Sequence, residues 1–306
     1  MHFLFFESLQ QYCIFFIEIM FFNNSYLQTC SETAEGQALP NPKAYGVEYV
    51  DSAGALHLAL LNPGQEGEVI ISCGALGSPQ LLLLSGIGPP EHLESLGIPV
   101  VTDLPGVGKG MADNPKIGIT FISPKNLEYS LTRVVGITPG SVIESSSTPF
   151  RIPFISNPDL YINVVSIFEF VAGPLSKGEL YLRTRDFHDD PSVRFNYFSH
   201  PQDLQNCVNG MRTIKKVQEN IPRKYFTSHF IGQLLPLNTS DDKAIEAFCR
   251  MTFSTSWHYH GGCQMGSVVN NKYQVKGVES LRVIDGSTLS RSPGSNPKGT
   301  LMMLGR

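Results

Sequence analysis

The sequence predicts an α/β part that the chain leaves and later re-enters. Between its two pieces it predicts an α+β part, an antiparallel sheet packed by helices. Three observations carry this. The short apolar runs at 68–73 (EVIISC) and 281–284 (LRVI) each end in a glycine turn, as buried parallel strands do. Several runs within 116–255 alternate apolar and polar residues, the period of a sheet with one wet face. Residues 203–217 place Leu204, Cys207, Val208, Met211, Ile214 and Val217 on one helical face. The expected division is 1–30, 31–115, 116–255 and 256–306.

Taken in order, residues 31–45 are polar and turn-rich and read as a loop. Residues 46–50 and 56–60 are β-type runs, and Asp51-Ser52-Ala53-Gly54 between them reads as a hairpin turn. After the strand at 68–73, Ser78 as N-cap and Pro79 at the first helical position start a helix over 80–84. A strand, a glycine-rich turn and a helix start form an anion cradle or an ordinary βα unit. Residues 90–96 read as a short helix, and 117–122, 160–165, 180–182 and 193–197 as strands. Residues 126–157, rich in Ser, Pro and Gly, predict a mobile loop or lid. A second helix over 241–248 leads to Cys249.

The densest chemistry lies at 256–306. His258, Tyr259 and His260 follow the single tryptophan, Trp257, and precede two glycines that let the backbone bend and pack closely. The strand at 281–284 ends at Asp285-Gly286. Asn296 as N-cap and Pro297 at the first helical position then open the apolar run 301–304. A histidine converging with a helix start suits a place where negative charge develops. By pattern alone His258 reads as a core histidine, a surface histidine or a base. Asp285 reads as a turn residue or a cofactor contact, and Asn296 as a plain cap or a site residue. Cys263 reads as a small core residue, with no charged neighbour to activate it. Tyr259 reads as packing. His258-Tyr259-His260 has no cysteine or carboxylate cluster to complete a metal site, so no metal is expected.

With 16% charged and 42% hydrophobic residues the chain is a folded globular one, and a net charge of −4 gives no reason to expect nucleic acid as a partner. The six cysteines show no CxxC spacing. The sequons at Asn23 and Asn238 permit glycosylation if the chain is secreted. Residues 3–22 are aromatic-rich but interrupted by Glu7, Gln10, Gln11 and Glu18, and no Lys or Arg precedes Lys43. They match neither a spanning helix nor a signal peptide, and read as an atypical start or an amphipathic core helix.

GALGSPQLLLLSGIGP (74–89) resembles the second signature of the glucose-methanol-choline (GMC) flavoprotein oxidoreductases. HYHGGCQMG and LRVIDGSTLSRSPGSNP resemble that family's C-terminal active-site region. LPGVGKGMADNP (104–115) and GPLSKGELYLRTR (173–185) are similar too, and the likeness covers roughly 44–306. WHYHGG and FNYFSHPQDL look most like the plant branch that includes (R)-mandelonitrile lyase. The resemblance implies FAD, bound by a partial FAD-binding α/β domain and a sheet-rich substrate domain. It implies a base at His258, paired across the flavin with Asn296. It places Asp285-Gly286 along the FAD pyrophosphate and ribityl chain, and Trp257, His258, Asn296 and Pro297 near the flavin. Ser256 and His260 would line the substrate pocket.

The resemblance also implies a Cys207–Cys249 disulfide, and with it a secreted or endomembrane-lumen location. The family's N-terminal GxGxxG fingerprint is absent, so the chain looks like the C-terminal half of a longer protein. The implied reaction is hydride transfer from a small alcohol to flavin, with His258 accepting the hydroxyl proton; an imidazole titrates in the range that suits this. Cyanohydrin cleavage is the alternative. The lyases carry His at the position of Asn296 and Tyr at that of Ser256, which favours oxidation. A truncated, non-catalytic chain is the third reading. No membrane partner is expected.

Overall fold

The computed structural model describes residues 25–32, 38–51, 53–62, 67–123, 125, 128, 134–151, 161–222, 241–294 and 296–306. The aromatic-rich segment at 3–22 and both sequon asparagines lie outside these.

The chain opens with an antiparallel sheet of β1 (Ser25–Glu32), β2 (Ala38–Val50) and β3 (Leu56–Leu60), with β2 central. The β2–β3 hairpin turn is held by Asp51 Oδ1, which accepts from the N–H groups of Ala53 and Ala55 at 2.9 Å each. The stretch expected as a loop up to residue 45 is strand from Ala38 onward. Its two prolines lack ladder donors. They fall where the β1–β2 register shifts, between the pairs Cys30↔Lys43 and Glu32↔Ala38.

Next come β4 (Val69–Ile71), α1 (Gly74–Leu84), β5 (Ile87–Gly88), α2 (Pro90–Ser95), β6 (Thr102–Asp103) and β7 (Lys109–Met111). Helix α1 starts four residues before the expected Ser78 cap and holds Pro79 inside it. The local pattern hides the reason: the Asp285 carboxylate reaches the first turn, accepting from Gly74 N at 2.9 Å and Ser78 Oγ at 2.5 Å.

The central part is a four-stranded antiparallel sheet of β8 (Lys116–Ser123), β9 (Val135–Ile137), β10 (Ser141–Arg151) and β11 (Tyr161–Val171), in the order β8-β11-β10-β9. Strands β9 and β10 lie inside the stretch expected as a loop. Serines obscure the pattern of the eleven-residue β10, but β11 pairs with it along its whole length and β9 over Val142, Ile143 and Glu144, which are buried. Strand β12 (Gly178–Tyr181) pairs with β7 and with β13 (Ser192–Arg194). The expected strand over 193–197 stops early because Asn196 turns to φ 52°.

Helix α3 (Pro201–Asn220) crosses the sheet, and α4 (Asp242–Thr252) lies beside it. Gln218, not the expected Val217, is the last buried residue of α3. The chain then returns to pair β14 (Leu281–Val283) parallel with β4, and ends in a 3-10 turn (Gly286–Thr288) and α5 (Lys298–Leu304). One core gathers Val69, Ile71, Leu81–Leu84, Leu180, Val269 and Val283; the other gathers Ile117, Phe121, Ile167, Met211, Ile214 and Ile245. Leu180 of β12 and Leu182 just after it, expected with the second part, are buried in the first core.

Cys207 of α3 and Cys249 of α4 form a disulfide across 42 residues of chain. Closing a loop of that length removes enough unfolded-state entropy to stabilise by about 4 kcal/mol. The Cys207→Ser, Cys249→Ser double variant is expected to lose that amount in urea unfolding, and dithiothreitol to reproduce it in the parent. A loss under about 1 kcal/mol contradicts the loop-closure argument.

Candidate active site

The site is built on one buried carboxylate. Asp113 is 2% exposed and follows β7. Its Oδ2 accepts from Tyr197 Oη at 2.6 Å, Thr255 Oγ1 at 2.7 Å and Ser256 N at 3.2 Å, and its Oδ1 from His258 N at 2.9 Å. Burial, then the Asp113 hydrogen bond, push the Tyr197 phenol up, so it stays a donor. Backbone pairs flank this knot: Lys116 with Ser254, and Ala112 with His260. Residues 254–260 are thereby laid antiparallel along 112–116. Ser256 Oγ donates to the Asn114 carbonyl at 2.5 Å. Nothing in the local sequence around Asp113 pointed to this role.

Trp257 takes φ 57° and leaves its indole 71% exposed. His258 is 9% exposed, and its ring lies 5.2 Å from that of Phe170, at the end of β11. His258 Nε2 is 2.7 Å from Asn296 Oδ1. Asn296 does not cap α5 with its side chain: the cap position is Pro297, and the helix begins at Lys298. The Tyr259 ring stacks on Phe195 at 5.0 Å.

His260 is 2% exposed, and its Nδ1 lies 3.0 Å from the His258 carbonyl, so Nδ1 carries the proton. Burial lowers its pKa to about 4, which keeps the ring neutral near pH 7. Gly261 and Gly262 have φ of 87° and 99°; a Cβ on Gly261 would sit 2.1 Å from the Gly110 carbonyl oxygen. Close approach and a left-handed backbone both require glycine there.

Asp285 spends its carboxylate within the fold. Besides the α1 contacts, its Oδ1 accepts from Ser287 N at 2.7 Å. The anion at the start of α1 is thus a side chain of this protein, which a helix start favours. Gly286 accepts from Gly261 N at 3.2 Å, tying the turn to the His258 segment. The thiols of Cys73 and Cys263 are pushed up, mainly by burial and then by the Asp285 charge, so neither is a nucleophile. Among the described residues no cluster could hold a metal ion.

Ser256, His258, His260 and Asn296 therefore converge. Asp285 and Gly286 join them through the backbone, and Trp257 and Pro297 sit at the rim. Of the five buried side-chain polar atoms with no hydrogen-bond partner among the described residues, three are Asn114 Oδ1, His260 Nε2 and Ser287 Oγ. They belong to the three segments that meet here. Buried groups of this kind are rare without a ligand or water.

A family model described as GMC oxidoreductase matches residues 32–116, and a second of the same description matches 174–305. An "(R)-mandelonitrile lyase-like" protein of Arabidopsis thaliana is 48% identical over 284 residues, covering 87% of this chain and 51% of that protein. Sinalpyl alcohol oxidase of Nesocodon mauritianus is 42% identical over 286 residues, covering 87% of this chain and 50% of its own. The chain spans about half the length of the curated relatives it matches. A fungal aryl-alcohol oxidase superposes with a TM-score of 0.66 at 20% identity, over 90% of this chain and 58% of its own. No helix among the described residues is long and apolar enough to cross a membrane. With both ends of the described fold matched by its models and relatives this similar, the chain belongs to the GMC oxidoreductase family.

Proposed function

We propose that this chain carries the catalytic end of an FAD-dependent oxidoreductase that acts on the CH–OH group of small alcohols. One observation carries the reading: His258 Nε2 and Asn296 Oδ1, 38 residues apart in sequence, lie 2.7 Å apart. In that contact Nε2 donates to the amide oxygen; a hydroxyl that displaces it would meet an imidazole nitrogen and an amide together. His258 would accept the hydroxyl proton as the carbinol C–H bond breaks, and Asn296 would hold the oxygen. Bound FAD would supply the hydride acceptor. The unpartnered atoms fit that cofactor. Asn114 Oδ1 and His260 Nε2 are acceptors, and a flavin offers donors in its ring N3–H and ribityl hydroxyls. Trp257, Asp285, Gly286 and Pro297 would flank the cofactor, while Ser256 and His260 would shape the pocket behind His258. The Cys207–Cys249 disulfide supports an oxidising compartment, secreted or within the endomembrane lumen.

His258→Ala is expected to slow flavin bleaching by an alcohol about 10²–10⁴-fold in the FAD-loaded chain. If alcohols bleach no flavin in the parent, the oxidase reading fails. The resemblance to a mandelonitrile-lyase-like protein supports a second reading, cyanohydrin cleavage. Cyanide release from mandelonitrile with the flavin still oxidised would establish it.

A further inference from the structure

We propose that one face of the β8–β11 sheet forms a subsite for an acidic substituent at the far end of the alcohol, with Lys116 as its cation. This rests on the alcohol-oxidising reading and adds a substrate class to it: aromatic alcohols bearing a carboxylate opposite the carbinol.

Alternation along the strands places Lys116, Gly118 and Thr120 of β8 on one face with Phe170, Phe168 and Ser166 of β11, in the register pairs Lys116↔Phe170, Gly118↔Phe168 and Thr120↔Ser166. That face begins at His258, whose ring lies 5.2 Å from Phe170. The Phe168 ring follows at 5.4 Å from Phe170, edge to face. Lys116 Nζ stands 4.6 Å from the Phe168 centroid. The Thr120 and Ser166 hydroxyls bond each other at 3.0 Å. A cavity of ≈ 280 Å³ opens here, lined by Lys116, Thr120, Ser146, Ser166, Phe168 and Ser254 among others. Gly118 keeps its floor low: a Cβ there would lie 2.6 Å from that of Phe168.

The sequence of groups is a base, an aromatic wall, then a cation beside hydroxyls. Phe170 and Phe168 are two residues apart, about 7 Å along a strand. A benzene ring lying on this wall with its carbinol at His258 carries its opposite substituent to Lys116. The ammonium forms no salt bridge among the described residues, whereas Lys109 is paired with Glu179. Glu144, the carboxylate on the neighbouring strand of the same face, is buried and forms no salt bridge to Lys116. A carboxylate would add an ion pair to Lys116 and accept from the two hydroxyls.

Trp257 is the chain's only tryptophan and adjoins His258, so its fluorescence reports binding. The probes are p-(hydroxymethyl)benzoate and benzyl alcohol, titrated into the full chain. The carboxylate probe is expected to bind about fivefold tighter, the size of a partly exposed ion pair, and the preference to shrink as salt is raised. Lys116→Gln should abolish the preference, so that the two probes bind equally, while Lys116→Arg keeps it. A preference that survives Lys116→Gln, or no preference in the parent, overturns the proposal. If alcohols reduce no flavin yet the Lys116-dependent preference is present, the oxidase reading falls and the subsite stands.

Discussion

Asp113→Ala is expected to destabilise the protein by on the order of 5 kcal/mol and to release the loop that carries His258. Removing a buried, multiply bonded carboxylate leaves several donors without an acceptor, and each charge-assisted bond lost is worth about 1.5–3 kcal/mol. Four donors are affected: the Tyr197 phenol, the Thr255 hydroxyl and the N–H groups of Ser256 and His258. Two of the four belong to the loop backbone itself. Its shape, including the left-handed Trp257, depends on them directly. Urea unfolding followed by Trp257 fluorescence measures both effects, since the indole sits on that loop. Asp113→Asn should lose less, because one acceptor oxygen remains while the new amide opposes the other donors. A stability for Asp113→Ala within about 1 kcal/mol of the parent would show that water replaces the carboxylate and that the loop does not depend on it.

Much of this architecture is visible in local pattern, and what is hidden shares one cause. Helix α3 and the strands β4 and β14 show in their apolar spacing because burial there follows the local period. Strand β10 does not: SVIESSSTPFR has few apolar residues, and its order comes from the strands on both sides. The local pattern sets the start of α1 at Ser78, four residues late, because its capping carboxylate, Asp285, lies 211 residues away from Gly74. Asp113 carries no local mark for the same reason, its partners being 84 to 145 residues distant. For the site, glycines 261 and 262 could be read from the sequence as places of close backbone approach. His258 and Asn296 could be tied together only through the family resemblance, since no spacing rule links an imidazole to an amide 38 residues on.

Glu169→Gln is expected to stabilise the protein more at pH 8 than at pH 5, with the gap between the two widening by about 3 kcal/mol. Glu169 is fully buried on the side of β11 that faces α3, between its cross-strand neighbours Ile143 and Ile117. Its carboxyl lies against Gly210 of α3, where a Cβ would fall within 1.4 Å of Oε2. Neither carboxyl oxygen has a hydrogen-bond partner among the described residues. The nearby Ser141 hydroxyl is directed at the Asn206 carbonyl at 3.4 Å and offsets little of the lost hydration. Burial therefore raises the pKa from 4.5 to about 8. For a carboxyl the charged form is the one that burial penalises. Below pH 4.5 both folded and unfolded chains hold the proton, and no penalty arises. As pH rises the unfolded chain ionises first, and folding must recover that proton at a growing cost until the folded group ionises too, near pH 8. Glutamine keeps the shape and never ionises, so its own burial cost cancels when the two pH values are compared. Urea unfolding of both proteins across this range reads the difference. A gap that stays constant with pH would mean that Glu169 ionises in the folded state as readily as in water, and that α3 opens enough to hydrate it.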